Sequence, residues 1–171
     1  MIRAVFTGSE CTGKTTLAQR LAAEFSLPRS GEFSRDYAAG LGRELTAADV
    51  EPIARGQIAL EEAVMAQASR VLIQDTDLIS TVVYARHYYG ACPVWIEAAA
   101  RARRANLYLL CHPDVAWIPD PQRDRGDRRE EMHGLFAAAM QEFGCRALAI
   151  RGPWLEREHH AAIAISELLR A

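Results

Sequence analysis

Lysine is all but missing from this chain of 171 residues: of its 20 basic side chains 19 are arginine, and Lys14 stands alone. A sequence that uses guanidinium wherever either cation would serve has kept one compact ammonium at one place. Long apolar runs are missing too. Nothing approaches the roughly 18 apolar residues of a membrane span, and no small-residue cleavage site follows the short apolar stretch after Met1, so the chain is expected in the cytoplasm. An excess of one charge is also lacking. With 20 basic and 22 acidic residues the formal charge is −2, which excludes generic binding of nucleic acid or an anionic membrane as the main activity. Cysteine is sparse and scattered: Cys11, Cys92, Cys111 and Cys145 form no CxxC pair and have no histidine at zinc spacing. They read as reduced thiols, which excludes a disulfide framework and a sulfur-bound metal.

What is present is the composition of an ordinary globular protein, 50% apolar and 25% charged. The length predicts one domain over residues 1–171 with room for a sizeable core. Short apolar runs alternate with longer amphipathic ones, which predicts an α/β class with parallel strands joined by helical crossovers. Strands are expected at 2–7, weakly at 28–33, at 71–75, 107–111 and 146–150. Leu17, Leu21 and Phe25 recur every four residues and place a helix over 14–25, ended by Pro28. Thr46 and Asp49 resemble an N-cap with an acid in the first turn, so a long helix to about 69 follows. Further helices are expected over 78–89, 93–104 and 128–143, with a terminal one after Gly152-Pro153. The stretch 112–127 is rich in Pro, Asp and Arg and has no apolar period, which favours a functional lid over a plain connection.

Gly8-Ser9-Glu10-Cys11-Thr12-Gly13-Lys14-Thr15 matches GxxxxGK[ST] at every fixed position and sits between the first strand and the first helix, as the mechanism of a phosphate-binding loop demands. At ordinary residue frequencies the pattern arises by chance in well under about one chain in a hundred. The glycines let the loop turn its N–H groups inward, the helix N-terminus adds its positive end, Lys14 reaches the terminal phosphates, and the Thr15 hydroxyl can ligate Mg²⁺. Thr16 follows as part of the same ATP-binding stretch. Cys11 is either a reactive thiol near a helix N-terminus or an indifferent small residue. A phosphate loop needs a second acid for magnesium at the end of an adjacent buried strand, and Asp75 is so placed, with Asp77 two residues on. The same pair also reads as an N-cap cluster for the helix at Leu78. Arg123, Arg125, Arg128 and Arg129 are interleaved with Asp120, Asp124 and Asp127. Guanidinium groups on a lid would balance transition-state charge and exclude water; the competing reading is a solvated, self-neutralising helix start. Arg128 and Arg129, on the helix side, fit that second reading best. Trp95 and Trp154 read as packing residues, Trp154 with a rival use beside the adenine, and His159-His160 reads as helix surface.

With the phosphate loop, Glu32-Phe33-Ser34-Arg35-Asp36-Tyr37, Asp75-Thr76-Asp77 and Trp117-Ile118-Pro119-Asp120-Pro121-Gln122-Arg123 in place, the whole chain resembles the kinase domain of the NadR-type proteins, a nicotinamide riboside kinase. The resemblance implies a P-loop kinase fold with a five-stranded parallel sheet in 2-3-1-4-5 order. It also implies transfer of the ATP γ-phosphate to the 5′-hydroxyl of nicotinamide riboside, giving NMN in NAD salvage. By position it makes Lys14 and Thr15 the phosphate and magnesium residues, Asp75 the strand-end acid and Arg123 a lid arginine. Glu32, Arg35, Asp36, Tyr37, Asp77, Trp117 and Asp120 become substrate-side candidates: ribose hydroxyls call for carboxylates, and a flat cationic ring for an aromatic face. Asp36 or Glu32 is the general base. Gly31 and Val50 stand where the family tends to carry aromatics, and Pro121 where it carries glycine. A kinase of another nucleoside or small metabolite, or a regulatory nucleotide-sensing module, fits the phosphate loop equally well.

Overall fold

Apolar alternation sets the centre of the molecule. The computed structural model describes residues 1–67, 70–116 and 128–170. Among the described residues, strands β1 (Ile2–Thr7), β2 (Arg29–Ser30), β3 (Val71–Asp75), β4 (Leu107–Cys111) and β5 (Ala147–Ile150) form one parallel sheet. Its order is β2-β3-β1-β4-β5, as the resemblance implies. The helices are α1 (Lys14–Glu24), α2 (Phe33–Leu41), α3 (Val50–Met65), α4 (Leu78–Tyr89), α5 (Val94–Ala102), α6 (Arg129–Glu142) and α7 (Trp154–Arg170). None of them is long and apolar enough to cross a membrane.

β1 lies between β3 and β4 and is covered on both faces, so its interior reads as consecutive apolar residues. Successive side chains point to opposite faces. Ala4, Phe6, Ile73 and Leu109 therefore meet Leu17 and Leu21 of α1 and Ile165 of α7. Val5 and Tyr108 face the other way, onto Ile79, Val82, Ile96 and Phe136 of α4, α5 and α6. Each such fully buried side chain is worth about 1.5–3 kcal/mol. The strand order reverses about β1, and in open parallel sheets ligands bind in the crevice outside the carboxyl ends at that point. The glycine-rich loop after β1 and the Asp75 end of β3 both lie there.

Two elements differ from the sequence expectation. Only Arg29 and Ser30 pair with β3, because Gln57 of α3 intervenes: its Oε1 accepts from Phe33 N at 2.9 Å and its Nε2 donates to Gly31 O at 3.3 Å. The chain leaves the sheet and begins α2 with Glu32 as its N-cap. The helix expected from Thr46 to about 69 opens instead as a 3₁₀ turn over Ala47–Asp49, closed by a Thr46/Asp49 capping box, and α3 ends at Met65.

Asp49 organises this corner. Its carboxylate is almost fully buried and accepts from both Arg43 Nη atoms at 2.7 and 2.8 Å, from Thr46 N and Oγ1, and from Tyr37 Oη at 3.0 Å. The Arg43 guanidinium, with the Thr46 N–H, holds the Asp49 carboxyl well below the usual carboxylate range. Its contribution to stability is therefore present above the unfolded value of about 3.9 and is lost as pH falls below it. Glu61 has the opposite sign: burial, with the Asp77 charge, pushes its carboxyl up to about 7, so it weakens the fold progressively as pH rises from the unfolded value of about 4.3 toward that value. Asp49→Asn should lower the thermal midpoint at neutral pH, with the deficit shrinking between about pH 5 and pH 2. Glu61→Gln should raise the midpoint at about pH 8 and leave it nearly unchanged at about pH 4. Differential scanning calorimetry across pH checks both, and deficits independent of pH would contradict the assignment.

Candidate active site

The loop after β1 can exist only with glycine at two places. Gly8 has φ +131°, and a Cβ there would lie 2.6 Å from the Cys111 carbonyl oxygen at the end of β4; Gly13 has φ +83°, and its Cβ would lie 2.8 Å from the Trp154 ring. Gly13 is the N-cap of α1, which leaves the first N–H groups of that helix without intrahelical partners. Thr12 Oγ1 and Lys14 Nζ both donate to the Ser9 carbonyl, at 2.9 and 2.7 Å. The Ser9 hydroxyl is buried and has no hydrogen-bond partner among the described residues. Thr16 is exposed on α1, one residue past Thr15.

Asp75 ends β3, in register with Phe6 of β1. It is 2% exposed. Burial and the neighbouring Glu32 charge push its carboxyl up, while a hydrogen bond from Thr15 and the Lys14 charge pull it back. Among the described residues Oδ1 has no hydrogen-bond partner. A hydroxyl next to an orphaned carboxylate oxygen is a donor set that fits Mg²⁺, which uses one or two protein oxygens plus phosphates and water. Among the described residues no group of three or more His, Cys, Asp or Glu forms an all-protein metal cage.

A cavity of about 790 Å³ takes in this loop, with Gly8, Glu10 and Lys14 in its lining. Glu32, Ser34 and Arg35 from the start of α2, Arg43 after it, Gln57 from α3, Thr76 and Asp77 after β3, and Ser80, Tyr84, Tyr88 and Tyr89 of α4 line it as well. The Tyr84 and Tyr88 rings are stacked, 15° apart in plane with centroids 6.0 Å apart. Glu32 Oε1 accepts from the Ser34 hydroxyl at 3.1 Å and Oε2 lies 3.5 Å from Arg35.

Several sequence expectations need correction. Asp36 is exposed and is not among the described residues lining the cavity; Arg35 and Ala39 take the inward face of α2, and Asp36, one position on, is turned about 100° away. Tyr37 does not line the cavity either, because its hydroxyl is committed to Asp49. Asp77 borders the cavity, but its carboxylate is the N-cap of α4: Oδ1 accepts from Ile79 N at 3.0 Å and Oδ2 from the buried Tyr108 hydroxyl at 2.7 Å. Burial pushes its carboxyl up. Arg129 is not a solvated residue. Its Nη2 donates to Cys11 O in the phosphate loop at 3.0 Å and its Nη1 to Val115 O at 2.9 Å. Arg128 does lie at the surface, paired with Glu131 at 2.5 Å. Trp117, Asp120, Arg123 and Arg125 lie outside the described residues.

Other residues fall where the sequence placed them. Trp95 packs against the core of its face under the Arg55 guanidinium, 4.5 Å from the ring centroid. Trp154 packs against the other core and the phosphate loop, and His159 and His160 are exposed. The α4 tyrosines were not anticipated, although their i, i+4 spacing in the helix directly after the Asp75 strand end is a usable signal. Arg157 was also missed; it occupies the apolar stripe that continues through Ala161, Ala164 and Leu168.

A family model described as AAA domain matches residues 3–157. The trifunctional NAD biosynthesis/regulator protein NadR of Escherichia coli (strain K12) is 28% identical over 141 residues, which is 79% of this chain and 34% of that protein. A crystal structure of NadR protein in complex with NR superimposes with a TM-score of 0.82 at 27% identity, over 99% of this chain and 52% of that one. A second, of NadR protein in complex with NAD and AMP-PNP, gives 0.78 at 26% identity over 99% and 50%. The chain thus spans about half the length of the solved relatives and a third of the curated one.

The two neighbouring arginines at the start of α6 give a direct check on the loop geometry. Arg129→Ala removes charge-assisted bonds to two backbone carbonyls and should weaken ATP binding about tenfold. Arg128→Ala removes only an exposed ion pair and should change it less than about twofold. Titration with a fluorescent ATP analogue separates them; equal effects would return Arg129 to the surface.

Proposed function

The chain belongs to the AAA domain family, and from that premise we propose that it is an ATP-dependent kinase that phosphorylates the 5′-hydroxyl of nicotinamide riboside, with residues 1–171 acting as one kinase unit in the cytoplasm. The observation that carries this reading is a single cavity lined by a phosphate-binding loop, by Glu32 and by the stacked Tyr84 and Tyr88. A kinase needs an acceptor pocket opposite the γ-phosphate, and a nucleotide switch does not. The similarity to a protein solved with NR and to one solved with AMP-PNP supports both ends of the site.

Each residue then has a physical task. The loop N–H groups and the α1 N-terminus hold the ATP phosphates. Lys14 gives up the Ser9 carbonyl and follows the charge that grows on the transferred group. Thr15 and Asp75 would hold Mg²⁺, which would supply positive charge to offset that of the phosphates. Glu32 lines the same cavity, close enough to Asp75 for its charge to be felt there, and it is the base that takes the proton of the 5′-hydroxyl as the oxygen attacks. Tyr84 and Tyr88 offer aromatic faces to the cationic nicotinamide ring, replacing the aromatic side chains missing at Gly31 and Val50. Arg35 borders the same wall. Arg123 and Arg125 keep the transition-state role that the sequence gives them.

Incubation with Mg-ATP and nicotinamide riboside should yield the 5′-phosphate, detected by mass. Lys14→Ala should lose at least about 10²-fold in kcat, as for one electrostatic donor. Glu32→Gln should lose about 10²-fold or more in kcat, whereas Asp36→Asn should stay within about threefold of the parent enzyme. An active Lys14→Ala enzyme would end the kinase assignment. Turnover of another nucleoside with none of nicotinamide riboside would keep the kinase and remove this acceptor.

A further inference from the structure

Arg157 is fully buried near the start of α7, and it does not touch the cavity. Its guanidinium joins three separate loops through their carbonyls: Nη1 donates to Thr12 O in the phosphate loop at 3.0 Å, Nη2 to His112 O after β4 at 2.8 Å, and Nε to Gly152 O after β5 at 2.8 Å. Nη2 also pairs with the Asp114 carboxylate, whose second oxygen accepts from Gly152 N at 2.7 Å. Asp114 thus holds the buried cation and one of the loops that the cation holds.

The contact with Thr12 has a consequence fixed by covalent geometry. In a planar trans peptide the C=O of one residue and the N–H of the next point in opposite directions. A donor that pins Thr12 O from the α7 side therefore aims the Gly13 N–H away from α7. That N–H belongs to the glycine at the mouth of α1, where phosphate is to be bound. From this we propose that Arg157, oriented by Asp114, is a positioning residue for nucleotide binding: it pre-sets the peptide plane of the phosphate loop and ties it to the chain segments leaving β4 and β5. A guanidinium suits the task because its planar fork serves three carbonyls and a carboxylate at once, which a lysine ammonium on a flexible stem does not reproduce. A core-filling role alone would place an apolar residue here, in line with Ala161, Ala164 and Leu168 of the same stripe.

The proposal rests on the nucleotide half of the reading above and is independent of the acceptor. Its test is binding of a non-hydrolysable ATP analogue to the full chain with no acceptor present. Arg157→Lys keeps the charge and loses the fork. Asp114→Asn keeps an oxygen for Gly152 N–H and loses the charge facing Arg157; because Asp114 is 41% exposed, this variant is expected to fold even if the first does not. Each folded variant should bind the analogue about tenfold more weakly, with nicotinamide riboside affinity unchanged. Glu158→Ala, which removes only the surface pair with Arg20, should bind it as the parent does. A folded Asp114→Asn or Arg157→Lys with parental nucleotide affinity, and only a lowered thermal midpoint, would overturn the positioning role. Absence of analogue binding by the unmodified chain would instead remove the nucleotide reading on which it stands.

Discussion

Every peptide unit that turns its N–H toward a phosphate must turn its C=O toward the protein, and a buried carbonyl left without a donor is costly. The loop after β1 answers this one carbonyl at a time. Ser9 O is met by Thr12 and Lys14, Cys11 O by Arg129, Thr12 O by Arg157, and Gly13 O by the Leu17 N–H of the first helical turn. The donors come from α1, α6 and α7, so helices far apart in sequence must be in place before the loop has its shape. The constraint also explains the tight glycines. Gly8 lies against the end of β4 and Gly13 against Trp154, because the same elements that supply donors press on the loop from behind.

The acceptor end is built on a different principle. There the shape comes from side chains that interrupt regular backbone pairing: Gln57 takes hydrogen bonds that would extend β2, and Asp49 gathers Arg43, Thr46 and Tyr37 into one corner. The result carries Glu32 and Arg35 toward α4 and leaves Asp36 outside. Both ends are anchored at the carboxyl ends of the strands, the nucleotide end at β1, β3 and β4 and the acceptor end at β2 and β3. An acceptor pocket held by a few polar contacts can therefore differ between relatives while the nucleotide end keeps its form.

How much of this the sequence shows follows from the range of the interactions involved. The strand of Ile2–Thr7, the α1 stripe of Leu17 and Leu21, and the phosphate loop are local patterns, and they stand where expected. β3 and β4 likewise have the expected bounds. β2 was overextended because the competing partner, Gln57, lies 24 residues beyond Phe33. Asp36 and Glu32 are told apart only by the fold, where Glu32 caps α2 and lines the cavity while Asp36 lies on the exposed side of that helix. Arg129 looked like one more charge in a charged run, since its acceptor, Cys11 O, is 118 residues away. Arg157 carried a legible signal, a cation on an otherwise apolar stripe, whose meaning depends on loops from three parts of the chain.

The proposed kinase requires one continuous cavity to hold ATP at the phosphate loop and a nucleoside at the α4 tyrosines, with the γ-phosphate between them. A bisubstrate ligand, adenosine and nicotinamide riboside joined through their 5′-positions by a polyphosphate bridge, tests it directly by isothermal titration calorimetry. Linking two ligands that occupy one site together converts the second binding event into an intramolecular one. The account predicts one-to-one binding, tighter than either ATP or nicotinamide riboside alone, and weakened by saturating amounts of either. Binding that ATP weakens but nicotinamide riboside leaves unchanged would contradict it.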